Sequence, residues 1–157
     1  MDTPFEGGCS CGAVRYRLVS APMFVHCCHC KNCQRLTGSA FAVNALIETG
    51  RLEVVSGAPE PVAMSTGSGQ PNDIYRCPAC KIAVWSDFRR LGVMCNVRVG
   101  TLDRPSALRP DVHIFTRSKL PWVMLPDDVP AFEAFYDVKS VWPPEALARR
   151  AAVLGPG

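Results

Sequence analysis

Seven of the nine cysteines in this chain stand in short, ligand-like spacings, and those spacings limit what it can fold into more than its hydrophobic pattern does. The densest stretch is Cys27-Cys28-His29-Cys30-Lys31-Asn32-Cys33, with four thiols and one imidazole in seven positions. Zinc prefers thiolates in a tetrahedron, and a Cys-x-x-Cys step lets one tight turn present two sulfurs to the same ion. Cys28, Cys30 and Cys33 then supply three ligands, the count of a site whose fourth position is kept for water or substrate. The alternative is that Cys30 and Cys33 form half of a closed knuckle completed elsewhere, with Cys28 a bystander.

Two further pairs decide between these readings. Gly7-Gly8-Cys9-Ser10-Cys11-Gly12 is a Cys-x-Cys flanked by glycines, which free the backbone to turn both sulfurs toward one ion. Cys77-Pro78-Ala79-Cys80 is a second Cys-x-x-Cys, in the position of a turn between predicted strands. Together Cys9, Cys11, Cys77 and Cys80 make a closed four-sulfur site that joins the N-terminal strand to mid-chain across more than sixty residues. Metal-binding free energy at such a site becomes folding free energy. A ribbon-type site on Cys30, Cys33, Cys77 and Cys80 would leave three ligand-spaced thiols unused, so the four-plus-three partition is preferred. It leaves two packed thiols. Alternation over 23–28 turns Cys27 away from Cys28, and Cys95 shares an apolar face with Val93, Val97 and Val99. His26 and His29 read as groups behind the ligands or at the surface, since the sulfurs suffice.

Between the cysteines the pattern is all-β. Short strands are predicted at 13–19, 23–28, 40–46, 51–55, 61–65, 74–77, 82–85 and 93–99, with Leu36-Thr37-Gly38-Ser39 as a turn and Gly/Pro/Ser/Asn clusters between strands. In the first of them Val14, Tyr16 and Leu18 face a core, and Arg15 and Arg17 face water. Another strand carries Val112 and Ile114. A helical turn is predicted at 130–136, and a short helix at 144–154, with proline near its start and Gly155 at its end.

A chain of 157 residues, 48% hydrophobic and 20% charged, is expected to form one domain over 1–157. It has no run of about 18 apolar residues, and MDTPFEGG lacks a basic, then apolar, start. A soluble, cytoplasmic protein with no membrane partner is the expectation, and its cysteines then speak for metal in a reducing compartment rather than for disulfides. A net charge of +3, with no basic run longer than two, is too mild for nucleic acid but suits a small anionic substrate. Near the C-terminal third, His113, Arg117, Lys119 and Trp122 are candidates to line a pocket; the alternative is a hydrogen-bonded core His113 and a packing Trp122.

Four motifs, in this order and spacing, resemble the glutathione-dependent formaldehyde-activating enzyme family. They are Gly8-Cys9-Ser10-Cys11-Gly12-Ala13-Val14-Arg15-Tyr16; Cys28-His29-Cys30-Lys31-Asn32-Cys33-Gln34-Arg35 with Gly38-Ser39; Cys77-Pro78-Ala79-Cys80; and His113-Ile114-Phe115 with Lys119, Pro121 and Trp122. The resemblance spans about 7–136 and leaves 137–157 as a C-terminal extension. It implies an Mss4-like zinc-binding fold of antiparallel sheets with short helical turns. It also implies two zinc ions per chain, one structural on Cys9, Cys11, Cys77 and Cys80 and one catalytic on Cys28, Cys30 and Cys33. The implied activity is that of a carbon–sulfur lyase which joins glutathione to formaldehyde as S-(hydroxymethyl)glutathione. Lys31, Arg35, Arg117 and Lys119 are candidate clamps for the carboxylates of glutathione, and His113 a candidate substrate contact. The chain departs from the family's usual pattern at Lys81, where glycine usually follows the knuckle, and at Gln34, where a basic residue is usual. The rival readings are a zinc-stabilised binding module without catalysis, and an enzyme using another small thiol or aldehyde on the same scaffold.

Overall fold

Val14, Tyr16 and Leu18 are fully buried while Arg17 is exposed, the period-two signature of a strand with one wet face. The same logic, repeated along the chain, gives a mainly β structure. The computed structural model describes residues 5–155. The strands among them are β1 (Phe5–Gly8), β2 (Arg15–Leu18), β3 (Phe24–Cys28), β4 (Ala42–Glu48), β5 (Leu52–Ser56), β6 (Glu60–Met64), β7 (Asn72–Arg76), β8 (Ala83–Phe88), β9 (Met94–Arg98) and β10 (Val112–Ile114). They form a three-stranded sheet in the order β1-β2-β5 and a seven-stranded sheet in the order β10-β3-β4-β9-β8-β7-β6. Every strand predicted from sequence is present, with its ends shifted by at most three residues.

Pairing is antiparallel except at one edge, where β10 runs parallel to β3. An entirely antiparallel expectation misses this pair, because a parallel neighbour needs a long crossover that sequence pattern alone does not reveal. Its register sets His113 opposite Cys27 and Ile114 opposite Cys28, which brings β10 alongside the cysteine cluster. The helical turn expected at 130–136 is not formed. Phe132 N–H donates to the His113 carbonyl at 2.9 Å and His113 N–H to the Pro130 carbonyl at 2.8 Å, so this segment runs extended along β10.

Three α-helices are present among the described residues: α1 (Lys31–Thr37), α2 (Val138–Val141) and α3 (Pro144–Leu154). The third has the bounds expected from its proline start and Gly155 stop. The first replaces what sequence pattern reads as a cluster running into a turn at Leu36–Ser39. The Cys30 side chain caps it by accepting from Cys33 N–H, and Gly38 closes it at φ 62°.

The interior divides into two apolar clusters. One gathers Val14, Tyr16, Leu18, Ile47, Val84 and Val97 with Cys9, Cys77 and Cys95. The other gathers Phe24, Met94, Val112, Ile114, Trp142 and Ala146 around Cys28, with Cys30 and Cys33 against it. Alternation along β3 and β4 feeds both: Val25, Ala45 and Ile47 enter the first cluster, Phe24, Cys28 and Leu46 the second. Each fully buried aliphatic side chain contributes roughly 1.5–3 kcal/mol. Gly7 is required by close approach, since a Cβ there would lie 2.6 Å from the Thr101 carbonyl and 2.7 Å from Tyr16 Oη. The residue that bends the Cys9–Cys11 loop is Gly12, at φ 77°.

Candidate metal centres

The loop after β1 folds back through a Gly12 N–H to Cys9 carbonyl bond of 3.1 Å. Between β7 and β8, Lys81 N–H donates to the Cys77 carbonyl at 3.0 Å and Cys77 N–H to the Ile82 carbonyl at 2.9 Å. These two turns face each other. Their four Sγ atoms, from Cys9, Cys11, Cys77 and Cys80, all lie within 4.8 Å of one another. Cys9 and Cys11 are 3.5 Å apart and Cys11 and Cys77 3.7 Å. Four sulfurs at about 2.3 Å from one ion would be roughly 3.8 Å apart, close to the spacing of this group. Burial works against charge on Cys9, yet the Val14 N–H and the neighbouring thiols bring it down to about 6.

A second group forms where β3 runs into α1. Cys28 ends the strand, Cys30 caps the helix and Cys33 lies in its first turn; their Sγ atoms are also within 4.8 Å of one another. Cys33 N–H donates to Cys30 Sγ at 3.3 Å. Hydrogen bonds from Cys28 and then Cys33 hold Cys30 far below the ordinary thiol range, while Cys28, as the donor to both, is pushed up. An apo site that already favours one thiolate suits a cation. Arg98, at the end of β9, is opposite Asn44 and donates to its side-chain oxygen. Its charge is felt by all three thiols.

Cys27 and His29 point to the other side of the same segment and meet His113. His29 Nε2 lies 3.6 Å from Cys27 Sγ and 3.0 Å from His113 Nδ1. The donor atoms of all three also lie within 4.8 Å of one another, and all three residues are buried. Their hydrogen bonding argues against a cation here. His29 Nδ1 has no hydrogen-bond partner among the described residues. With the hydrogen on Nε2, shared with His113, that atom is an unfilled acceptor; a cation on Nε2 would force the hydrogen onto Nδ1 as a buried N–H with no acceptor. Burial also pushes the Cys27 thiol up to about 12 and His29 down to about 4. The group is a neutral packed pair of imidazoles with a thiol against it.

Two sequence expectations change here. His29 and His26 are both buried, so neither is a surface group. His26 Nε2 meets Tyr136 Oη at 2.5 Å, and that oxygen accepts from Trp142 Nε1 at 2.7 Å. Trp122 is 72% exposed and packs into neither cluster.

The five candidate substrate contacts are placed differently from one another. Lys31 and Arg35 are exposed on α1, and Arg117 is exposed with its guanidinium 5.9 Å from the Phe115 ring centre. Lys119 Nζ donates to the carbonyls of Val123 at 2.8 Å and Leu120 at 3.2 Å. His113 is interior, bonded to His29. Gln34, which in sequence is only a departure from pattern, ties α1 to the segment after β10. Its Nε2 donates to the carbonyls of His29 at 2.8 Å and Ser118 at 2.9 Å. Arg98 escaped sequence reasoning, although alternation in β9 sets it on the face opposite Cys95 and Val97.

Residues 4–118 match the family described as glutathione-dependent formaldehyde-activating enzyme. A Halomonas elongata protein, provisionally named for the same activity, is 31% identical over 124 residues, which cover 75% of this chain and 78% of that one. A crystal structure of a Rhodobacter sphaeroides protein aligns with a TM-score of 0.47 at 23% identity, covering 80% of this chain and 98% of that one.

Proposed function

Because the chain belongs to the glutathione-dependent formaldehyde-activating enzyme family, we propose that it is a zinc-dependent carbon–sulfur lyase acting on the adduct of glutathione and formaldehyde. Cys28, Cys30 and Cys33 are the proposed catalytic ligands, and Cys9, Cys11, Cys77 and Cys80 the proposed structural ones, with two zinc ions per chain acting in one domain. The observation that carries the reading is the contrast in donor number between two sulfur groups, four in one and three in the other. A closed set has nothing to offer a substrate; a set of three leaves one position.

Zinc on the three-sulfur group would supply a substrate thiol that ionises near neutral pH. Three thiolates against a dication leave the site with a formal charge of minus one, which weakens polarisation of an aldehyde oxygen and favours the thiol-binding role. The chain's own residues orient the site: Cys30 is fixed by the Cys33 N–H, and α1 is held by Gln34. The glutathione sulfur bonds to the aldehyde carbon, the carbonyl electron pair moves to oxygen, and a solvent proton completes the hydroxymethyl product. The reverse breaks the same carbon–sulfur bond. Lys31, Arg35 and Arg117 have the exposure to meet carboxylates, whereas Lys119 and His113 would have to give up existing partners. All nine cysteines are unpaired, which fits a reducing compartment such as the cytoplasm. Among the described residues no helix is long and apolar enough to cross a membrane.

Calorimetric titration of the zinc-loaded protein with glutathione and S-methylglutathione tests the reading. Glutathione should bind at least about 100-fold tighter and release one proton, counted in buffers of different ionisation enthalpy, because the thioether cannot become anionic. Equal binding would remove the thiol from the zinc. No binding of either, with zinc content intact, would leave a zinc-stabilised binding module.

A further inference from the structure

We propose that the cleft between the end of α1 and the Cys77–Cys80 turn is a subsite for an anionic group, a carboxylate of the thiol substrate, formed by Arg76, Lys81 and Arg98. The cleft has a volume of about 260 Å³, and its lining adds Leu36, Thr37 and Ile74 to the three cations. The proposal rests on the thiol-binding reading of the three-sulfur group.

Charge is the first argument. Arg15, Arg17, Arg51, Arg90, Arg109 and Arg149 each have a carboxylate within 4.0 Å. Arg76, Lys81 and Arg98 have none among the described residues, although they line one concavity. Arg98 is disfavoured as a cation by burial and by the charge of Arg76, and is favoured by the three thiols. Arg98 is thus shared between the sulfurs and the cleft it lines, and Arg76 and Lys81 supply the cleft's remaining positive charge.

Backbone is the second. Lys81 has φ 65°, the left-handed region that is strained for a non-glycine residue. The turn imposes that conformation twice over: Lys81 N–H donates to the Cys77 carbonyl, and its own carbonyl accepts from Arg76 Nη1 at 2.9 Å. A glycine would sit there freely, so the lysine side chain is carried at a cost, and it lines the cleft. Strained residues of this kind concentrate at ligand-binding sites.

Position is the third. Thr37, on the cleft wall, is one helical turn beyond Cys33 and donates to its carbonyl at 2.9 Å. Four residues of helix span about 6 Å, so an anion in the cleft lies within a short peptide's reach of a sulfur at the three-cysteine group.

The test compares glutathione with its diethyl ester, which keeps the thiol and loses both carboxylates, on the zinc-loaded chain and on Lys81→Gly, Arg76→Gln and Arg109→Gln. The wild type should bind glutathione about tenfold tighter than the ester. Lys81→Gly, relieved of its backbone cost and so no less stable, should lose most of that ratio while binding the ester unchanged and retaining its zinc. Arg76→Gln should behave similarly, and Arg109→Gln, an exposed cation paired with Asp128 outside the cleft lining, should keep the ratio. An undiminished ratio in Lys81→Gly overturns the subsite and leaves the thiol reading intact. If neither ligand binds the wild type, the thiol reading falls instead, and inorganic phosphate decides the cleft through the amide shifts of Thr37 and Lys81. Shifts abolished by Arg76→Gln uphold an anion site; absence of shifts overturns it.

Discussion

The two sulfur groups share one kind of donor and differ in span and in donor number. Cys9 and Cys11 are more than sixty residues from Cys77 and Cys80, and the group they form sits against the cluster containing Tyr16, Ile47 and Val97. Cys28, Cys30 and Cys33 occupy six consecutive positions and sit against the other cluster, with Phe24, Met94 and Trp142. Loop-closure entropy grows with the logarithm of the loop, so closing the long loop costs about 2 kcal/mol more than closing the short one. An ion at the long-range group would constrain the unfolded chain far more. On the proposed roles, donor identity does not separate the structural site from the reactive one; span and donor number do.

The largest effect should come from breaking the long-range group. Cys77→Ser or Cys11→Ser should lose several kcal/mol, lowering the melting temperature by about 10 °C or more and exposing the chain to chelators. Cys33→Ser should lose one zinc per chain and shift the melting temperature by only a few degrees. Metal analysis paired with calorimetry reads both. Equal destabilisation by the two sets would abolish the distinction.

A smaller effect separates the two clusters themselves. Arg149 of α3 makes a fork with Glu48 at the end of β4, at 2.8 Å and 2.6 Å, and the Glu48 side chain is only 9% exposed. Arg149→Ala leaves Glu48 with Arg51 alone, at 3.4 Å, and should cost about 2 kcal/mol, less than a fully buried pair because Arg149 is partly exposed. The variant should give up the zinc of the three-sulfur group to a chelator faster while the four-sulfur zinc is unaffected, since α3 packs on the second cluster only. Burial opposes the Glu48 charge, but Arg149 holds its carboxyl below the usual range. The pair's contribution is therefore present above the unfolded carboxyl pKa and lost as pH falls through the lower folded value. The variant and wild type should converge in stability only as pH falls below that lowered value.

How much was legible in sequence depends on how local each feature is. Strands with one wet face, such as β2, announce themselves by alternation, and the cysteine partition follows from spacing. β3 is buried at all five positions, so its two faces look alike in composition and only the parity of Cys27 and Cys28 separates them. α1 was invisible because its cap is a cysteine, read as a ligand, and its seven residues are too few for helical periodicity. The Cys27–His29–His113 contact needs the parallel register of β10 on β3, a pairing with more than eighty residues between partners. The cleft is non-local for the same reason, since Thr37, Arg76 and Arg98 come from three separate elements.

The smallest effect concerns the two thiols outside both groups. Cys95 lies in the first cluster among apolar neighbours, and Cys27 lies on β3 facing His29. Cys95→Ala and Cys27→Ala should both keep full zinc content and lose on the order of 1 kcal/mol, the cost of a small cavity. They should differ in kind. Cys95→Val, which refills the space with apolar atoms, should recover part of the loss, because its cluster neighbours are apolar and the Thr49 side chain is its one hydrogen-bonding contact among the described residues. Cys27→Val should recover less, because the valine would set a methyl group against His29 Nε2, an atom whose ring already carries one unpartnered nitrogen. Urea melts of the four variants, with zinc counted in each, check the pair. A zinc deficit in Cys27→Ala would move that thiol into the metal chemistry, and full recovery in Cys27→Val would make its contact with His29 a matter of packing alone.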